Sequence, residues 1–204
     1  MNPLVRRALG AGCAAIVTLG LTAGVAPSAY AEKLVRDDAR RDVVRAIESD
    51  AGETLQPAPR AADPDILRVA VDHRTTALLI RTKYAALDRR VVRTDALEIR
   101  TSAGKRFEAL TFVHKRGQWQ GRTAIGTGSA GVDCPGLRHR FDYEANVATW
   151  TIPRSCIGRP RWVRVGVGTG RGTWDGPFFI DDAFRKGIAS YNENLVLSRR
   201  IWKD

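Results

Sequence analysis

Two acidic pairs are the first candidates for chemistry. Asp37-Asp38 lies in the first third of the chain and Asp181-Asp182 near its end. Carboxylate oxygens are the ligands of hard cations, so two such pairs brought together would supply several oxygens to one calcium ion. No compact loop of the D-x-D-x-D-G kind is present. Convergence would therefore have to come from the fold; otherwise these are solvated turn carboxylates or partners for basic side chains. Gly126-Thr127-Gly128-Ser129-Ala130-Gly131 spells G-x-G-x-x-G, but a phosphate cradle needs a helix N-terminus behind it. Val132-Asp133-Cys134-Pro135 follows instead, so the stretch reads as a flexible surface loop, and Gly168 to Gly172 likewise as a loop between strands. His73, His114 and His139 have no local metal-ligand spacing. Asp72-His73 places an acid beside an imidazole, but neighbouring strand residues point to opposite faces. No Ser stands in a G-x-S-x-G turn. What remains for catalysis is a hydrolase whose site is assembled spatially.

Binding chemistry is the other possibility. Trp119 stands between Gln118 and Gln120, and Trp174 beside Asp175 and Gly176. Exposed rings in such polar settings can stack on sugar faces while Arg116 and Arg171 reach hydroxyls or anions; the alternative is that each Trp caps an end of the core. Trp150 and Trp162 sit in strand-like runs and read as core or sheet-face residues. The chain has 33 Lys and Arg against 22 Asp and Glu, a net charge of +11. Basic residues gather at Arg89, Arg90 and Arg93, at Lys115 and Arg116, at Arg138 and Arg140, and through Arg154, Arg159, Arg161 and Arg164. This balance suits an anionic polymer, or else a solvated surface that keeps copies apart.

The first residues decide which polymers are relevant. Arg6 and Arg7 precede an uncharged run from Ala8 to Ala26, and Ser28-Ala29-Tyr30-Ala31 offers a small-residue cleavage site. That is the pattern of a secretory signal peptide over 1–31. Its removal leaves one domain, 32–204, takes the charge from +11 to +9 and removes Cys13. Cys134 and Cys156 then form an even pair in an exported chain, which reads as one disulfide. The expected partners are an extracellular glycan or an anionic cell-wall polymer. No specific nucleic acid and no transmembrane segment in the mature chain are expected, and the protein reads as a monomer.

The elements that must position these residues are short and extended. Apolar residues alternate through Leu67, Val69 and Val71, through Leu78, Ile80, Thr82 and Tyr84, and through Ala109, Thr111 and Val113. Phe141 and Tyr143, Ala148 to Ile152, Val163 to Val167, and Phe178 to Ile180 continue the pattern. About nine strands at this spacing predict an all-β antiparallel sandwich, jelly-roll-like. Leu34 to Ile47 is ambiguous: Val35, Ala39, Val43 and Ile47 make a helical stripe, whereas Asp42-Val43-Val44 reads as an opening strand, which the β-rich context favours. A hairpin turn of Glu144, Ala145 and Asn146 would pair Tyr143 with Val147. Continuing that register brings Cys134 opposite Cys156.

Pro153-Arg154-Ser155-Cys156-Ile157-Gly158-Arg159-Pro160 with Trp162-Val163-Arg164-Val165, and Ala62-Asp63-Pro64-Asp65-Ile66 with His73 and Leu78 to Tyr84, resemble a recurrent pattern in uncharacterised secreted actinobacterial proteins. Phe179-Ile180-Asp181-Asp182-Ala183 resembles the closing strand of carbohydrate-binding modules. The resemblance spans about residues 37 to 183 and implies a β-sandwich of the carbohydrate-binding-module kind. It also implies that an Asp of that strand holds a structural calcium near the first strand, where Asp37, Asp38 and Asp42 stand. The function expected is non-catalytic binding of a glycan or anionic wall polymer. The alternatives are the hydrolase above and an interaction or inhibitor protein acting through a projecting Gly126 to Asp133 loop.

Overall fold

The computed structural model describes residues 32–49, 52–114, 117–172, 177–187 and 194–204. The expected signal peptide, Arg116 and Trp174 lie outside the described residues. Fourteen strands follow in chain order: β1 (Lys33–Asp37), β2 (Val44–Ser49), β3 (Gly52–Pro57), β4 (Ile66–His73), β5 (Ala77–Tyr84), β6 (Arg93–Thr101), β7 (Arg106–Val113), β8 (Arg122–Thr127), β9 (Ala130–Gly131), β10 (Arg138–Asp142), β11 (Val147–Pro153), β12 (Trp162–Arg171), β13 (Phe178–Asp182) and β14 (Ile201–Trp202). They form two antiparallel sheets, one in the order β1-β4-β5-β11-β10 and the other β3-β2-β13-β12-β6-β7-β8-β9, with β14 on β12. The molecule is an all-β sandwich. Leu34 to Ile47 holds two strands, so the extended reading of that stretch is right and the helical stripe is not used.

Alternation places the core. Val69, Val71, Leu78, Ile80, Ala148, Trp150 and Ile152 from one sheet meet Leu97, Ile99, Phe107, Ala109, Val163 and Val165 from the other. Each large side chain buried here stabilises the fold by about 1.5–3 kcal/mol. In β4 a register shift between Ile66 and Arg68 turns Ile66 inward and leaves Leu67 half-exposed, so Leu67 does not share the buried face of Val69 and Val71.

Cys134 and Cys156 are joined, with Cα atoms 5.3 Å apart. The hairpin beside them differs by one residue from the expectation. Asp142, not Tyr143, pairs with Val147. Asp142 Oδ1 accepts a hydrogen bond from the Ala145 amide at 2.9 Å, and Asn146 takes a left-handed conformation, φ 51°. Both favour the longer turn, since Asn tolerates φ > 0 better than most residues. The bridge survives the shift because it lies beyond the ladder, where Arg154–Ile157 leaves β11 as a 3-10 turn.

Two glycine-rich stretches are strands, not loops. Gly126 belongs to β8, and Thr127 pairs with Ala130 across a tight turn with Gly128 at φ 57°. Gly166, Gly168 and Gly170 lie within β12. A Cβ on Gly166 would lie 2.6 Å from the Leu195 Cβ, and one on Gly170 2.5 Å from the Phe178 ring. Bare backbone is what lets the C-terminal segment lie flat on β12, tied by Ser198 N to Val165 O at 2.8 Å.

Candidate functional site

One end of the sandwich is polar on its inner face. Adjacent strands place Phe179, Arg171 and Arg93 in one row, and Asp181, Thr169 and Asp95 in the next. Arg93, expected with the surface arginines, is 1% exposed. Its guanidinium pairs with Asp63 and lies over the rings of Tyr84 and Phe141. Asp95 accepts from the Tyr84 hydroxyl at 2.8 Å and the Thr169 hydroxyl at 2.9 Å, with His139 Nε2 at 3.5 Å. Burial alone would raise the Asp95 pKa; contacts with His139, Arg93 and Tyr84 outweigh it and hold the group ionised. The His139 side chain is fully buried, so this His–acid contact is a core network closed to substrate. Arg154, also expected at the surface, is buried and donates to Thr75 O and Pro160 O. His73 faces inward and Asp72 outward, as neighbours on a strand must.

Arg171 sits where β12 ends. Its Nε donates to the carbonyl of Asp63, and its guanidinium lies 4.5 Å from the centre of the Phe179 ring, directly across the ladder. Together they form one wall of an open cleft of about 570 Å³. The facing wall is Pro57 to Ala61, where two prolines restrict the backbone and the Ala58 amide donates to Val43 O at 2.7 Å. Arg60 is exposed on that wall, and among the described residues no acid lines the cleft. The Asp63 carboxylate is occupied by Arg93 and by the Asp88 amide, so it does not neutralise Arg171. A second cleft, about 490 Å³, opens beside Asp88, Arg89, Arg90 and Tyr143. Among the described residues, neither cleft is lined by a His or a Ser.

Trp119 is half-buried against the main core, and its carbonyl accepts from the Tyr143 hydroxyl at 2.5 Å. It lines neither cleft. Of the four expected binding residues, Arg171 lies in a cleft; its aromatic partner is Phe179, which carried no signal in sequence because a Phe in an apolar run reads as core.

The acidic pairs converge in part. Carboxylate oxygens of Asp38, Asp42 and Asp181 lie within 4.8 Å of one another. Asp181 Oδ2 accepts from the Ile66 amide at 2.6 Å and Oδ1 from the Asp182 amide at 2.8 Å. Asp38 Oδ2 and Asp42 Oδ1 are buried without a hydrogen-bond partner. Burial, with repulsion from Asp42 and Asp182, raises the Asp38 pKa to about 7. Burial, with repulsion from Asp38, Asp42 and Asp65, raises that of Asp181 to about 8. Asp42 and Asp65 are shifted upward for the same first reason. An all-oxygen donor set of this charge suits a hard cation such as calcium and not zinc. Asp37 and Asp182 are not part of it. Asp37 is exposed and pairs with Arg68 at 2.5 Å. Asp182 is taken up by Arg185 Nε at 3.2 Å and by the Phe184 and Val196 amides.

The fold and its surface define a β-sandwich with a cationic cleft beside an acidic cluster. No family model, curated protein or solved structure matches the chain. No helix among the described residues is long and apolar enough to cross a membrane.

Proposed function

We propose that the protein is a secreted, non-catalytic binding module that takes an anionic group of an extracellular glycan or cell-wall polymer into the Arg171–Phe179 cleft. The observation that carries this reading is the state of Arg171. Its Nε is tied to a backbone carbonyl, its plane rests on an aromatic ring, and among the described residues Arg60 is the other charge lining the cleft. A guanidinium held this way loses little side-chain freedom when it pairs with a carboxylate or phosphate, so more of the contact energy appears as affinity. The disulfide is compatible with an oxidising compartment. In this reading Asp38, Asp42 and Asp181 hold a calcium ion beside the cleft. Phe179 and Asp181 share one strand face, and Asp42 precedes Val43, whose carbonyl holds the Ala58 wall. The ion's part is to stiffen that wall.

The test is titration calorimetry with glucuronic acid and with polygalacturonate at low and high salt. Binding should weaken as salt rises, because charges are screened within about 10 Å at 0.1 M. Arg171→Gln should weaken it about 10- to 100-fold, the loss expected of a charged hydrogen bond worth roughly 1.5–3 kcal/mol. Binding unaffected by salt and by Arg171→Gln would reject the cleft as the site.

A further inference from the structure

Building on the cleft reading, we infer that the site spans both clefts and selects an oligosaccharide in which an acidic residue adjoins an uncharged one. Asp63 is hydrogen-bonded to a lining residue of each cleft. Arg171 of the first cleft donates to its carbonyl, and the amide of Asp88, which lines the second, donates to its Oδ2 at 2.8 Å. Each cleft contains the same unit, a guanidinium lying on an aromatic ring: Arg171 on Phe179 at 4.5 Å, and Arg89 on Tyr143 at 5.1 Å. Both volumes fall within the ordinary range of small-molecule sites, about 300–1,000 Å³.

Their charges differ. Among the described residues, the first cleft has Arg60 and Arg171 and no acid. The second has Arg89 and Arg90 balanced by Asp88 and Glu144, and Arg90 is already committed to Asp88 through Nε at 3.0 Å and Nη2 at 2.9 Å. An anion is therefore attracted to the first cleft. A second anion entering the other would meet no net positive charge, since Asp88 pairs with Arg90 and Glu144 offsets Arg89, whereas a sugar hydroxyl there finds both donors and acceptors. A ligand charged at every residue is disfavoured in the second cleft, and one charged at alternate residues fits both. Linking the two contacts in one molecule makes the second binding step intramolecular, so affinity rises with length without any new residue.

Calorimetry of the full mature chain with three probes tests this: glucuronic acid, a hyaluronan tetrasaccharide with acidic and uncharged residues alternating, and tetragalacturonate. The alternating tetrasaccharide should bind at least about tenfold more tightly than glucuronic acid, and more tightly than tetragalacturonate. Arg89→Ala, at an exposed position, should remove that gain and leave glucuronic acid binding unchanged. Glu144→Gln should narrow the gap to tetragalacturonate. If glucuronic acid binds through Arg171 but the alternating tetrasaccharide gains nothing, or tetragalacturonate binds at least as well, the two-cleft inference is wrong and the cleft reading stands. If none of the three binds, the cleft reading itself falls, and the inference with it.

Discussion

The acidic cluster makes the stability of this protein depend on pH in an unusual direction, and calcium should reverse it. Asp181 is moved from an ordinary 3.8 to about 8, and Asp38 to about 7. A carboxyl whose folded pKa lies above its unfolded value holds its proton more tightly in the folded chain. Its stabilising contribution is complete below pH 3.8 and is lost as pH rises through 7 and 8. A tenfold difference in proton affinity corresponds to about 1.4 kcal/mol, so ionising this cluster costs a few kcal/mol by about pH 9. At roughly 2–4 °C per kcal/mol for a domain of this size, Tm in EDTA should drop by about 5–10 °C between pH 6 and pH 9. In the calcium reading, the ion takes the protons' place between the carboxylates. Millimolar calcium should therefore raise Tm strongly at about pH 8.5 and hardly at all at about pH 5, where the carboxyls are protonated. Asp42→Asn supplies the internal control. It relieves the repulsion on Asp181 and Asp38, so in EDTA at alkaline pH the variant should be more stable than the wild type, and its calcium response should shrink. Differential scanning fluorimetry across the pH series reads all of this. A calcium shift of equal size at acid and alkaline pH, or none in the wild type, would refute the reasoning.

On the acid side, burial lowers the pKa of His73, whose Nδ1 lies 3.1 Å from the Ile201 carbonyl. Its neutral form is the one the fold favours, so stability should fall as pH drops below 6.5, and denaturant titrations of His73→Gln should show a flatter acid limb. Gly166→Ala should destabilise by about 1–3 kcal/mol and make the last residues protease-sensitive, because the new Cβ meets the Leu195 Cβ at 2.6 Å and the Val196 carbonyl at 3.1 Å. Cys134→Ser with Cys156→Ser should lower stability by about 3 kcal/mol for a loop of this length, read by urea unfolding. Mass spectrometry of the exported protein should find Glu32 at its N-terminus; a retained Met1 would reject the leader.

Much of the architecture was legible in the sequence because it depends on period two. Phe107, Ala109 and Val113, or Ala148, Trp150 and Ile152, are buried because alternate side chains share a face, whichever strands lie opposite. The same rule parts His73 from Asp72, and the even pair Cys134 and Cys156 reads as the disulfide the structure contains. Where residue chemistry and local pattern disagreed, sequence alone misled. By sequence Arg93 and Arg154 belong with the surface charges, yet they are buried because Asp63, Thr75 and Pro160, all remote or round a turn, provide their partners. Gly168 and Gly170 were read as loop; they are strand because Leu195 and Phe178 occupy the space where side chains would be. The one-residue shift in the Asp142–Val147 hairpin came from Asp142 capping its own turn, a choice between two nearly equal loop lengths.

The candidate site divides in the same way. Arg171, Asp38 and Asp181 could be named from sequence, as charged residues in turn-like or strand-end positions. Which acids join them could not. Of the acids near the first strand, Asp42 is in the cluster and Asp37 is not, and Asp182 is also outside it, because Arg68 on β4 and Arg185 with the Val196 amide compete for the latter two. The described aromatic beside Arg171 is Phe179, since cross-strand register, not residue type, decides which ring lies under a guanidinium. Alternation along one strand is a property of neighbouring residues and can be read from them. The partners of a buried charge and the walls of a cleft come from segments far apart in the chain, and only their meeting in the tertiary structure decides them.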